Sequence, residues 1–285
     1  MSGRSNSLAL EKWCDVSSSK QKHNRYAQIL ETIFQTHYKS KQRSFDFARE
    51  EIESVADKLK IKLPKNLGDL IYSFRFRADP PESISKTAPN GMEWIIRLAG
   101  RAKYKMVLVR IVRIVPTAGR VRIKIPDATP EIVLRHAKGD EQALLAKVRY
   151  NRLIDLFLGV VAYSLQSHLR TTVPDLGQIE TDELYVGVRN SGQQFIIPVQ
   201  AKGGTDRIGA VQAEQDLALC RDVFPQLTPR PVAVQFVRDE EEDVIVMFEL
   251  KQEGDDILIV QECHYRLVSA EAITPDDLRS MADTE

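Results

Sequence analysis

The sequence predicts an α/β chain, more closely α+β, in two unequal parts. Three observations point there. The hydrophobic pattern runs through three helices and a hairpin in residues 21–112, then helix, hairpin, helix and strands in residues 139–285. Pro80-Pro81 and Asn190-Ser191-Gly192 mark breaks and turns between these runs. The charge divides the same way. Residues 1–135 hold 26 Lys and Arg against 14 Asp and Glu, and the remainder holds 14 against 26, so a net charge of zero conceals a basic first half and an acidic second half. A basic module of this kind suits a polyanion, or is a solvated basic face.

Residues 1–20 are polar and Ser-rich and are expected to be disordered. A helix follows from Asn24, with Tyr26, Ile29, Leu30, Ile33 and Phe34 on one stripe. A second is expected from Ser44 to Leu59, capped by Ser44 or Asp46, with Phe45, Ala48, Ile52, Val55, Ala56 and Leu59 on its apolar face. Asn66 caps a short third helix with Leu67, Leu70, Ile71 and Phe74 inward, ending in Phe74-Arg75-Phe76-Arg77. Two strand-like runs, 93–98 and 104–110, flank a basic tip with Arg101 and Lys103. This is the order of a winged-helix-like domain, spanning 21–112, which presents its third helix and its wing to duplex DNA. Arg75, Arg77, Arg101 and Lys103 are then the phosphate contacts, which give affinity without sequence information. A protein-interaction module has the same order.

Residues 113–138 are expected to be a connecting section. A long helix, Glu141 to Leu169, opens the second domain, and its centre, Leu153 to Val161, is apolar nearly all round, as in a helix packed on a sheet. Arg149 and Arg152 on it, with His168 and Arg170 near its end, are candidate phosphate contacts. Strands are expected at 183–189, 194–201, 231–237, 244–250 and 257–260, helices at 207–221 and 274–282, and an acidic turn at 239–243.

Composition removes several function classes. No apolar stretch spans a bilayer and no apolar signal core opens the chain, so a cytoplasmic protein without a membrane partner is expected. Cys14, Cys220 and Cys263 have neither disulfide density nor zinc spacing, and His136 and His168 lack ligand spacing. Phosphate-loop, dinucleotide and nucleophile-elbow motifs are missing.

The chemistry concentrates in the segment 180–204. Pairing symmetric about Ser191 sets Asp182 opposite Gln200 and Glu180 opposite Lys202. Opposed residues share a face, so all four polar groups are expected on one side of the hairpin, at one end. A buried sheet end gathers such a cluster only at a cost of about 1–3 kcal/mol per unpaired group.

Asp182, followed after a hydrophobic strand by Gln200-Ala201-Lys202, resembles the PD-(D/E)xK nuclease signature. The Gln in place of the second acid resembles the Mrr-like branch. The resemblance implies a restriction-endonuclease-like fold, a central mixed sheet flanked by helices, over residues 139–285. It implies a type II restriction-like, Mg2+- or Mn2+-dependent endonuclease acting on double-stranded DNA, in restriction or DNA processing, as a homodimer. Asp182 and Gln200 would hold the metal, and Lys202 would orient water or stabilise charge. Glu141 would be the acid on the preceding helix, or else an acid complementing the helix dipole. Glu180, Gln212 and Gln215 would be supporting residues, the last two being three apart on one helix face. Gly203-Gly204 would allow close approach of DNA or form a simple turn. The alternative is a non-catalytic DNA-binding or regulatory protein on a degenerate nuclease fold.

Overall fold

The computed structural model describes residues 25–64, 66–76, 78–110, 114–137, 140–174, 176–203, 209–238 and 242–282. Expectations for residues 1–20, Cys14, Arg77, Gly204 and positions 239–241 of the acidic turn lie outside these residues.

The first unit contains α1 (Arg25–His37), β1 (Ser44–Ala48), α2 (Arg49–Leu59), α3 (Gly68–Phe76), the single turn α4 (Glu82–Ser85), β2 (Met92–Leu98) and β3 (Lys103–Arg110). Its three strands lie in the order β1-β3-β2. The expected helix from Ser44 to Leu59 is therefore part strand. Phe45 and Phe47 alternate inward while Asp46 faces out, and the segment pairs with β3 from Ser44↔Val107 to Ala48↔Lys103. The helix starts only at Arg49, where the Glu51 carboxylate accepts the Ala48 N–H at 2.8 Å. Phe34, Phe45, Phe47, Trp94 and Tyr104 fill the core between helices and sheet.

The second unit is built on an eight-stranded mixed sheet. Its elements are β4 (Arg122–Pro126), α5 (Glu131–His136), α6 (Asp140–Tyr150), α7 (Leu153–Leu158), β5 (Val161–Val173), β6 (Gly177–Val188), β7 (Gln194–Gly203), α8 (Ala210–Val223), β8 (Thr228–Pro229), β9 (Val232–Arg238), β10 (Asp243–Glu253), β11 (Asp256–Val268) and α9 (Pro275–Ala282). The strand order is β4-β11-β10-β9-β7-β6-β5, with the short β8 beside β7. β7 and β9 run parallel and α8 makes the crossover between them. Leu144, Leu145, Val148, Phe157 and Leu158 of α6 and α7 cover one face of the sheet, and Ala213, Leu217, Leu219 and Cys220 of α8 cover the other. The α+β class expected from the sequence is what is observed.

The expected long helix 141–169 is two short helices and a strand. Arg152, at φ 50°, interrupts it, and Gly159, at φ 61°, ends α7. Residues beyond Val160 pair with β6 from Val161↔Val188 to Val173↔Gly177. An apolar run of this length suits a buried helix or a strand equally, and tertiary pairing decides. Gly187 permits the fit: a Cβ there would stand 2.7 Å from Ile197 Cδ1 and 3.2 Å from Val160 Cγ2.

The section read as a connector belongs to the second unit. Ile114 is buried against α8 and β10, and β4 pairs in parallel with β11. The buried Glu262 accepts the Thr117 N–H and hydroxyl, both at 2.7 Å. Among the described residues no helix is long and apolar enough to cross a membrane.

Candidate functional site

The hairpin register runs from Val188↔Gln194 to Glu183↔Val199, the symmetry about Ser191 expected from the turn. Beyond Glu183 the two strands part. β6 stays with β5 as far as Gly177, and β7 passes to β9 from Val199↔Val232 to Gly203↔Phe236. Side chains bridge the gap. Asp182 Oδ2 accepts the Ala201 N–H at 2.8 Å, and Gln200 Nε2 donates to the Glu180 carbonyl at 3.1 Å. Each takes the place of a backbone partner, so buried backbone groups are satisfied where the ladder stops.

The four polar residues do not form one cluster on one face. Gln200, 4% exposed, turns towards α8 and donates to Asp216 Oδ1 at 3.2 Å. Lys202, at the strand end, reaches α6, with Nζ 3.1 Å from Glu141 Oε1. Glu180 lies outward and pairs with Arg170 of β5 at 3.0 Å. The parting of the strands removes the shared face across the hairpin, because cross-strand opposition holds only while both strands keep one pleat, and Lys202 parts from Gln200 by reaching from the strand end to α6.

Asp182, Lys202 and Glu141 do come together. Burial raises the Asp182 carboxyl above its ordinary pKa; the Ala201 N–H and the Lys202 ammonium oppose this, Glu141 adds to it and His168 opposes it. The β5 register carries His168 opposite Asp182, between the pairs Ser167↔Glu183 and Leu169↔Thr181, with its backbone at φ 49°. Non-glycine residues in that conformation are uncommon and gather at functional sites.

Two neighbours escaped the sequence reading. Asp216 of α8 is 2% exposed and accepts the Thr181 hydroxyl at 2.6 Å. Burial pushes its pKa up to about 7, against the lowering effect of Thr181 and Gln200. The available signal was a lone carboxylate inside the apolar stripe Ala213, Leu217, Cys220. Glu183, fully buried, accepts from Arg149 and from the Tyr185 hydroxyl, with Ser167 Oγ at 3.4 Å. Burial, then Glu183 itself, pushes the Tyr185 pKa upward.

The remaining expected residues are dispersed. Gln212 caps its own helix, its Oε1 accepting the Gly209 N–H at 3.3 Å. Gln215 is buried on α8. Arg149 is committed to Glu183, and Arg152 to Asp155. Arg75 is half-buried and donates to the Ile96 carbonyl at 3.2 Å; burial lowers its pKa to about 10. Arg101 and Lys103 are exposed at the tip of the β2–β3 hairpin.

Among the described residues no three His, Cys, Asp or Glu side chains converge to hold a metal ion. The donors at the parting of the strands are instead one carboxylate, Asp182, and one amide oxygen, that of Gln200, with Glu141 tied to Lys202. These are hard oxygen donors of the kind magnesium takes while keeping several waters. Comparison with protein-family models, with curated proteins and with solved structures finds no match to this chain.

Proposed function

We propose that this chain is a metal-dependent DNA endonuclease of restriction-endonuclease-like fold, hydrolysing phosphodiester bonds of duplex DNA in restriction or DNA processing. The observation that carries the reading is the parting of β6 and β7, which brings Asp182, Lys202 and Glu141 together beside an anchored Gln200. A fold held by packing alone gains nothing from ending a ladder at buried polar side chains, because each must find a partner.

The residues divide the work. Asp182 and the Gln200 carbonyl would hold Mg2+ or Mn2+. Bound there, the ion supplies Lewis acidity to the phosphate and lowers the pKa of a water. Lys202 directs positive charge at the phosphoryl oxygens as charge develops on them. Glu141 fixes the Lys202 ammonium through the ion pair on α6.

The first unit supports a duplex-reading role. Helix, strand, helix, helix and hairpin, with strands ordered β1-β3-β2, is the plan of a winged helix, with Arg101 and Lys103 on the wing. Arg75 supports the packing of α3 on β2 instead of meeting phosphate. Cutting both strands requires two sites, and a homodimer supplies them.

Plasmid cleavage with Mg2+ or Mn2+ tests the reading. Wild type is expected to nick or linearise DNA, and Lys202→Ala to lose about 100-fold or more in rate. If the two behave identically on duplex, single-stranded and RNA substrates, the reading is abandoned. The second reading, a non-catalytic DNA-binding protein on a degenerate nuclease fold, is favoured by the amide at position 200. It expects salt-dependent DNA retention without cleavage.

A further inference from the structure

We propose that Asp216 is a positioning residue that fixes the Gln200 amide with its nitrogen held at α8, leaves its carbonyl oxygen as the acceptor offered to the site, and so requires an amide at position 200. The inference rests on the metal-dependent reading above. It concerns a helix residue that neither the signature nor the comparisons assign.

The geometry is specific. Gln200 Nε2 has two neighbours, the Glu180 carbonyl at 3.1 Å and Asp216 Oδ1 at 3.2 Å. Both are acceptors, so the amide nitrogen must face them; turning the group over would set oxygen against oxygen at two contacts. Asp216 is anchored in turn by the Thr181 hydroxyl at 2.6 Å, and Thr181 is itself fully buried. Thr181 adjoins Asp182 on β6 and Gln200 lies on β7. One carboxylate on α8 therefore ties both strands where their ladder stops.

The same contacts explain the amide. With Asp216 ionised, a Glu at position 200 would present a carboxylate to a buried carboxylate and a carbonyl, with no hydrogen to donate. Gln has the same length, donates twice and keeps one oxygen. The chain thus carries its buried acid on α8 and a neutral oxygen donor on β7.

Five full-length proteins test this: wild type, Asp216→Val, Asp216→Asn, Gln200→Glu, and Gln200→Glu with Asp216→Asn. Urea unfolding without metal, at about pH 8 where Asp216 is ionised, is the first measurement. Gln200→Glu should shift the midpoint down, and adding Asp216→Asn should recover part of the shift, because Asn offers the Glu carboxylate an N–H. Additive effects overturn the proposal, since they mean that residues 200 and 216 do not meet. Mn2+ binding to the folded variants is the second measurement. Asp216→Val should weaken it about tenfold or more. Asp216→Asn, which keeps an acceptor for Gln200, should retain most of the affinity. Equal Mn2+ affinity in wild type and Asp216→Val overturns the proposal while leaving the nuclease reading standing. A wild type that neither binds Mn2+ nor cleaves DNA overturns the nuclease reading, and the positioning role falls with it.

Discussion

The two ends of the β6–β7 hairpin are made of the same two strands and behave in opposite ways. At the turn end every residue pair keeps register, and Phe195 lies against the sheet with the guanidinium groups of Arg189 and Arg230 at 5.3 and 5.2 Å from its ring. Arg230 is clamped by Glu249 at 2.6 Å, so that end is closed by packing and a matched ion pair. At the far end the ladder stops, and Asp182 and Gln200 supply by side chain what the backbone no longer supplies. The contrast separates two uses of buried polarity. At one end it completes a structure, and at the other it spans the gap where two strands part.

Substitutions sharpen that contrast, beginning with the largest expected effect. Arg149→Ala leaves Glu183 buried without its counter-charge and should cost about 3 kcal/mol in urea unfolding, somewhat less if water reaches the half-exposed guanidinium site. Lys202→Ala removes a partner of the more exposed Glu141 and should change stability by about 1 kcal/mol or less while slowing cleavage about 100-fold or more. A large stability loss from Lys202→Ala and none from Arg149→Ala would reverse the assignment of the two networks.

The second test uses pH. The Asp216 carboxyl has its folded pKa raised to about 7 from 3.8, and Asp182 is raised as well. Between those values the folded chain holds a proton that the unfolded chain has lost. Their contribution is therefore full below about pH 4 and falls as pH rises towards 7. Glu51, Asp127 and Glu262 are lowered and act in the opposite sense, losing their contribution as pH falls. The difference between wild type and Asp216→Asn isolates the first effect. The variant should gain on wild type by a few kcal/mol from pH 4 to pH 8; a difference that does not vary with pH would refute the buried-acid account.

Smaller effects belong to the closed end and the wing. Gly187→Ala forces Ile197 and Val160 to shift and should destabilise by about 1–3 kcal/mol without altering cleavage by the folded fraction. Replacing Arg101 and Lys103 by Ala should lower the salt dependence of DNA retention by about one to two counterions, read as the slope of log affinity against log salt. An unchanged slope would mean that the β2–β3 tip does not meet DNA.

Much of this was legible in the sequence, and the residues show why. The turn at Asn190-Ser191-Gly192 sets the hairpin register, which the two strands keep as far as Glu183↔Val199. Glu141, singled out in the sequence as an acid on the helix before the hairpin, pairs with Lys202. What could not be read depends on contacts distant in the chain. Ser44 to Ala48 reads as helix until β3, almost sixty residues later, offers an edge. Leu153 to Val161 reads as one helix until β6 pairs with its end. The loss of β6 from one edge of β7 after Glu183↔Val199, while β9 keeps the other edge to Gly203, has no local periodicity to announce it. Asp216 was hidden for the same reason, since its partners Thr181 and Gln200 stand 35 and 16 residues away.

Arg97 of β2 grips Glu214 of α8 through two nitrogens, at 2.9 and 2.5 Å, and reaches Asp255 at 2.7 Å. Two residues further along α8, Asp216 faces the sheet. A helix of this length is a rod of roughly 20 Å, and here it is fastened on one side to the β2–β3 hairpin and on the other to the strands that part. For anyone dividing the gene, no neutral cutting point lies near residue 112. Expressing the sheet unit alone would strip Arg97 from Glu214, so the fragment would carry an α8 released on that side and report on a different protein.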